Sequence, residues 1–280
     1  MPTSREIIIK REIPYLGTDR AEKMDAYLPP SYFVGPSPAI VLIHGGGWHM
    51  SDKAADREVS IATDLARTGY AVFSINYLLN EGAKDEDGTL KLSRVAWPQN
   101  LYDCKSAVRF IRKNARKFDI NPNRIATMGG SAGGHLAMLV GGTIHHDVFN
   151  KEGLYTEQSN KISCILNFYG DFDIRGGEVS PFAGAAPDIT SANEADASPI
   201  TWIDANTPPM FIAHGTADTI IPVERSRALA AHLQNLSLNY IYLEIAKAPH
   251  AFDLHPEQLD LEPSVLMFLK KYLGKPSSEV

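Results

Sequence analysis

The stretch Thr127-Met128-Gly129-Gly130-Ser131-Ala132-Gly133-Gly134-His135 constrains this chain more than any other. It has the form Gly-x-Ser-x-Gly, with the apolar run Arg124 to Met128 before it and a helix-like run, Ala132 to Val140, after it. A strand that must become a helix within a few residues leaves its corner residue little choice of backbone angle, so small neighbours are needed on both sides. Gly129 and Gly133 provide that room. Such a corner lifts the Ser131 hydroxyl to the C-terminal edge of a sheet. It also sets the Ala132 N–H at a helix N-terminus, where the macrodipole favours developing negative charge. Ser131 is therefore the candidate nucleophile. Ordinary Gly/Ser turns produce the same short pattern, so the remainder of the chain has to decide.

Strands and helices alternate along the chain. Residues 5–13 and 22–28, with Gly17-Thr18-Asp19 between them, read as an antiparallel pair at a sheet edge. Ala39 to His44 is a short continuous apolar run of the kind expected for a strand buried on both faces, and it ends in Gly45-Gly46-Gly47-Trp48. Helix is expected over 55–68, strand over 70–77, a loop over 80–93, and a long helix opening at Trp97-Pro98 whose apolar stripe runs from Leu101 to Phe118. Further strands follow at 124–128, 162–169, 209–214 and 240–245, with helices at 222–236 and 262–273. The pattern predicts one α/β domain over 1–280: a mostly parallel, eight-stranded sheet with helices on both faces. Residues 170–208 are irregular and too long for an ordinary connection, so they are expected to form a small cap or lid over the site.

A formal net charge of −6 argues against a nucleic-acid partner, which needs clustered Lys/Arg. The basic residues that do cluster, Arg109, Arg112, Lys113, Arg116 and Lys117, are expected on the solvated face of one helix. Cys104 and Cys164 sit in apolar periodic segments with no Cys-x-x-Cys spacing, so reduced core thiols are expected instead of zinc or a disulfide. The first residues lack an apolar signal core, and no run reaches the roughly 18 to 20 apolar residues a membrane span needs. A soluble, cytoplasmic protein is the expectation, and nothing selects between monomer and homodimer.

In an open parallel sheet, functional groups gather beyond the carboxyl ends of the strands. Four such ends carry chemistry here: His44 to Trp48, Ser131, Asp218 after His214-Gly-Thr-Ala, and His250 in Ala248-Pro-His-Ala-Phe252. Nucleophile, then acid, then base is the chain order of an α/β-hydrolase triad. A serine hydroxyl is a poor nucleophile at neutral pH, so an imidazole must take its proton and later deliver it to the leaving group. His250 suits that task, and a carboxylate on its far nitrogen, assigned to Asp218 ahead of the nearby Asp253, would hold the productive tautomer. Gly46 and Gly47 of the His-Gly-Gly-Gly turn, with Ala132, are the expected oxyanion donors. No metal and no cofactor are required. His135, His44 and His214 read as packing or bracing residues, and His145-His146-Asp147 as a polar helix end. Trp48, Tyr77, Phe182 and Trp202 are the aromatic residues available to line a substrate pocket.

On the motifs HGGGW (44–48), GGSAGGH (129–135), HGTAD (214–218) and PHAF (249–252), the chain resembles α/β-hydrolase-fold carboxylesterases of the hormone-sensitive-lipase-like and BD-FAE-like group. The likeness runs from about residue 20 to the C-terminus. It implies the roles given above and a small-molecule ester substrate with a short acyl chain, with acetyl, feruloyl and simple carboxylesterases mixed among the smaller-capped relatives. Two departures stand out: Gly130 occupies the position where many hormone-sensitive-lipase-like enzymes carry an acid, and the N-terminal segment is short for their full helical cap. The same machinery serves a serine amidase or peptidase such as an arylformamidase, and a catalytically silent small-molecule binder could share the fold.

Overall fold

A computed structural model describes residues 6–88, 90–176, 180–186, 189–190 and 193–278. Eight strands form one sheet: β1 (Ile8–Ile13), β2 (Met24–Leu28), β3 (Ser37–Ile43), β4 (Ala71–Ile75), β7 (Ile120–Gly130), β8 (Cys164–Phe168), β9 (Met210–Gly215) and β10 (Tyr240–Ile245). Their spatial order is β1-β2-β4-β3-β7-β8-β9-β10. The pairs from β4 to β10 are all parallel, and β2 is antiparallel to both of its neighbours. The chain first steps from β3 to β4 on one side, then returns to place β7 on the other side of β3. The strand order therefore reverses between β3 and β7, which opens a crevice beyond their carboxyl ends.

Two apolar layers follow from the two-residue period of the strands. Ala39, Val41 and Ile43 of β3 face the layer built with α2 (Gln99–Lys113), α4 (Ala132–Gly142) and α5 (Glu224–Asn235). Ile40 and Leu42 face the layer built with α1 (Asp56–Arg67) and α6 (Glu262–Tyr272). Every residue of α4 is buried, because this helix is sandwiched between the sheet and α2 and has no solvent face. Both thiols, Cys104 and Cys164, are free and buried. No helix among the described residues is long and apolar enough to cross a membrane.

Three expectations are corrected. The long helix after Pro98 stops at Lys113, and Ala115–Phe118 forms a separate turn, α3, beyond Asn114. Residues 81–94 are not a plain loop: β5 (Glu81–Lys84) and β6 (Leu90–Arg94) pair as an antiparallel ribbon. Arg109 is not on a solvated face; it is 2% exposed and donates from Nη1 to the Glu152 carbonyl and from Nη2 to the Asn150 carbonyl, both at 2.7 Å. A loop laid over α2 has backbone carbonyls that need donors, and Arg109 supplies them. Residues 177–179, 187–188 and 191–192 of the expected lid lie outside the described residues. Of its described residues, Phe172, Ile174, Phe182 and Ala197 belong to the core on the α2/α4 side, while Ser180 and Ala183 border a small pocket with Gly47, Trp48 and His49.

Candidate active site

Ser131 stands at the turn from β7 into α4 with φ 55° and ψ −124°, a conformation that non-glycine residues rarely adopt. The two flanking glycines make the turn possible through close approach. A Cβ on Gly129 would lie 2.3 Å from the Gly133 carbonyl carbon, and one on Gly133 would lie 2.0 Å from the Ile43 carbonyl oxygen at the end of β3. The corner is held from the other side by the Ser131 N–H, which donates to the Phe168 carbonyl at 2.9 Å. Ala132 is the first residue of α4, so its N–H belongs to the turn that has no intrahelical acceptor.

The loop after β3 lies across the crevice from this corner. Gly46 has φ +97°, and a Cβ there would meet the Met50 carbonyl oxygen at 2.1 Å, so the loop curls as it does only because the position is glycine. His44 is fully buried, stacks on Tyr77 at 4.5 Å between ring centroids, and burial lowers its pKa despite the bond between its Nδ1 and the Gly45 carbonyl. The Tyr77 hydroxyl donates to the His44 carbonyl at 3.0 Å. Tyr77 thus props the glycine loop from beneath.

Asp218 and His250 meet beyond the ends of β9 and β10. The His250 Nδ1 lies 2.6 Å from Asp218 Oδ2, and the other carboxylate oxygen accepts from the N–H groups of Ile220 and Ile221, each at 2.9 Å. His214 adds a contact of 3.2 Å from Nε2 to the same carboxylate while its Nδ1 bonds Ser226. Burial alone pushes the Asp218 carboxyl up, but the hydrogen bonds from His214, His250, Ile221 and Ile220 outweigh it and hold the group well below the usual carboxylate range. A permanently ionised acid on Nδ1 leaves Nε2 of His250 as the free, basic nitrogen. Asp253 is engaged elsewhere, accepting from the Ser60 hydroxyl and the His255 N–H.

A cavity of about 550 Å³ joins these parts, with Gly46, Gly47, Arg57, Ser131, Tyr169 and His250 in its walls. No hydrogen bond joins the Ser131 hydroxyl to His250 among the described residues. Catalytic hydrogen bonds are often long in the absence of substrate, so this geometry is compatible with a base waiting beside a nucleophile. The described residues hold no metal-type cluster at this cavity; their one grouping of that kind, His255, Asp260 and Glu262, lies elsewhere on the surface.

The aromatic residues expected to line the pocket do not line this cavity. Trp48, Tyr77 and Phe182 are buried, and Trp202 packs on His146 and Phe149. Trp48 instead donates from its indole N–H to His135 Nδ1 at 3.3 Å, while the His135 Nε2 bonds the Ala197 carbonyl at 2.7 Å. Burial pulls the pKa of His135 down to about 4, with the bond to Ala197 opposing. No described residue of 170–208 walls the cavity either. Sequence reasoning missed Arg57 and Tyr169, both of which do. Arg57 reads as a polar residue in the first turn of an amphipathic helix, and Tyr169 as the last apolar residue of a strand, so neither carries a local signal.

Comparison with known proteins agrees with this architecture. The BD-FAE family model matches residues 24–233. Esterase LipC of Mycobacterium tuberculosis is 28% identical over 262 residues, covering 89% of this chain and 61% of LipC. The probable carboxylic ester hydrolase LipM of the same organism is 28% identical, covering 87% of this chain and 56% of its own length. The chain thus spans little more than half the length of these curated relatives. Among solved structures, a truncated carbohydrate esterase from gut microbiota superposes with a TM-score of 0.81 at 22% identity over 98% of both chains. A family match extending from β2 through most of α5, on a sheet of this order, shows that the chain belongs to the BD-FAE family and has the α/β-hydrolase fold.

Proposed function

We propose that the protein is a serine carboxylic-ester hydrolase acting on small esters with short acyl chains, with Ser131 as nucleophile, His250 as general base and acid, and Asp218 as its orienting carboxylate. The observation that carries this reading is the 2.6 Å bond between His250 Nδ1 and the buried carboxylate of Asp218, set behind a cavity that Ser131 shares with the glycine loop. In this reading His250 Nε2 takes the Ser131 proton as Oγ attacks the ester carbonyl. The amides of Gly46, Gly47 and Ala132 receive the oxyanion, a contribution of about 3 kcal/mol for each donor that can be removed. His250 then protonates the departing alcohol as the tetrahedral intermediate collapses to an acyl-enzyme. Water enters, gives a proton to His250, and attacks the acyl carbonyl; the same proton returns to Ser131 as the acid leaves.

The names of several relatives, LipC and LipM among them, support ester chemistry for this family. The test is labelling with a fluorophosphonate together with turnover of p-nitrophenyl acetate, butyrate and octanoate, an N-formyl anilide and an aminoacyl amide. Covalent labelling that vanishes in Ser131→Ala, with acetate or butyrate turned over fastest, is the expected result. Turnover confined to the amides would replace the esterase reading by an amidase, and no labelling of the wild type would remove the nucleophile assignment.

A further inference from the structure

Arg57 contributes to the cavity wall but has no role in the chemistry above. Its guanidinium is spread over three neighbours. Nε donates to the Phe252 carbonyl at 2.9 Å, Nη1 donates to Glu58 at 2.7 Å, and the plane lies over the Tyr169 ring with 5.5 Å to its centroid. Nη2 is buried without a hydrogen-bond partner and points to Gly130, where a Cβ would come within 2.7 Å of both Nη2 and the Tyr169 hydroxyl. Tyr169 repeats the contact from the sheet side: its hydroxyl donates to the same Phe252 carbonyl at 2.7 Å, and its ring packs on His250 at 4.8 Å and on Phe252 at 4.6 Å. Two donors from separate elements therefore converge on one carbonyl, two residues after His250.

We propose that Arg57 is a positioning residue for His250, acting through the Phe252 carbonyl and the Tyr169 ring, and that glycine at 130 is what makes room for this clamp. The inference rests on the assignment of His250 as the base. The loop that bears His250 turns sharply, with Ala251 at φ 66°, and Asp218 restrains only the ring's Nδ1 side. Fixing the Phe252 carbonyl, two residues on, prevents the imidazole from swinging about that single bond. Arg57 lies in the first turn of α1, the helix that follows the glycine loop in sequence, so one side chain ties the base-bearing loop to α1. A planar fork with a stacking face is required, and a lysine at 57 would supply the charge without either feature.

Two routes break the same clamp. Arg57→Ala removes it, and Gly130→Ala drives a methyl against Nη2 and the Tyr169 hydroxyl. Each is expected to lower kcat on p-nitrophenyl acetate by ~10–100-fold with KM within about twofold, the pattern of a misplaced base instead of a lost binding contact. Guanidinium ion at millimolar concentration is expected to restore much of the Arg57→Ala rate and none of the Gly130→Ala rate, where the side chain is present but displaced. Arg57→Lys should stay slow. Folding is monitored by thermal denaturation, and a variant that melts before assay is replaced by Tyr169→Phe, which removes one donor to Phe252 and is expected to lower kcat in the same direction. Wild-type turnover with unaltered kcat in Arg57→Ala, or an equal loss of kcat that guanidinium does not relieve, overturns the clamp while leaving the esterase reading in place. Absence of turnover and of fluorophosphonate labelling in the wild type overturns that reading instead.

Discussion

At the scale of single residues, the site is governed by which charges the fold can hold. The buried carboxylate of Asp218 accepts four polar contacts, so it stays ionised through the range in which His250 would work. Replacing it by Asn would preserve the shape and invert the tautomer of the imidazole. The expected loss is ~10⁴-fold in kcat with little change in fold, measured by steady-state kinetics beside circular dichroism. The same residue and His135 bring two separate acid sensitivities to stability. His135, buried and neutral, has a folded pKa of about 4 against an ordinary value of 6.5. The unfolded chain therefore takes up this proton first, and stability falls as pH drops from 6.5 towards 4, by about 3 kcal/mol in all. The contribution of Asp218 is complete above its ordinary value of 3.8 and disappears only as the pH falls further. Urea denaturation across pH 7 to 4.5 should show a decline in the wild type that is flatter in His135→Gln. Parallel curves would assign the decline to other groups.

At the scale of elements, the junction of β3, β7 and α4 depends on backbone contact that only glycine allows. Gly133→Ala places its methyl 2.0 Å from the Ile43 carbonyl oxygen and 2.6 Å from that of His44, both backbone atoms, so the clash cannot be relieved by rotating a side chain. A destabilisation at or above the usual ~1–3 kcal/mol for overpacking is expected in chemical denaturation, with loss of activity beyond the loss of folded protein because the turn carries Ser131. The sheet itself was legible in the sequence. Its buried strands are continuous apolar runs and β1 and β2 form the expected antiparallel edge, because a residue's two faces repeat every second position whatever the rest of the fold does. The break at Asn114 was not legible, since the apolar stripe of α2 continues past it into α3 at nearly helical spacing.

At the scale of the whole molecule, the cavity sits at the reversal of strand order between β3 and β7, and its walls come from loops that leave the carboxyl ends of several strands. The β5–β6 ribbon and the 181–186 segment join each other through the Leu92 N–H to the Gly184 carbonyl at 2.9 Å and the Asn80 side chain to the Pro181 carbonyl at 2.7 Å, and Leu90 and Ala183 border a small pocket with Gly47 and His49 of the cavity wall. Substitutions on the outer side of their junction, such as Leu92→Ser or Ala186→Ser, are expected to leave kcat/KM on p-nitrophenyl acetate within about twofold. A larger effect would mean that this appendage reaches the substrate.

The sequence by itself determined the eight strands of the main sheet, the glycine-lined corner at Ser131, and the placement of Asp218 and His250 after successive strands. These follow from local rules of periodicity and backbone sterics that act within a few residues. Only the tertiary structure decided that His250 bonds Asp218 while Asp253 turns to Ser60, that Trp48, Tyr77 and Phe182 serve the core, and that Arg57 grips the chain beside the candidate base. Arg57 and Phe252 are 195 positions apart, and no short-range pattern specifies a hydrogen bond between a helix's first turn and a carbonyl brought to it by the closing of the sheet.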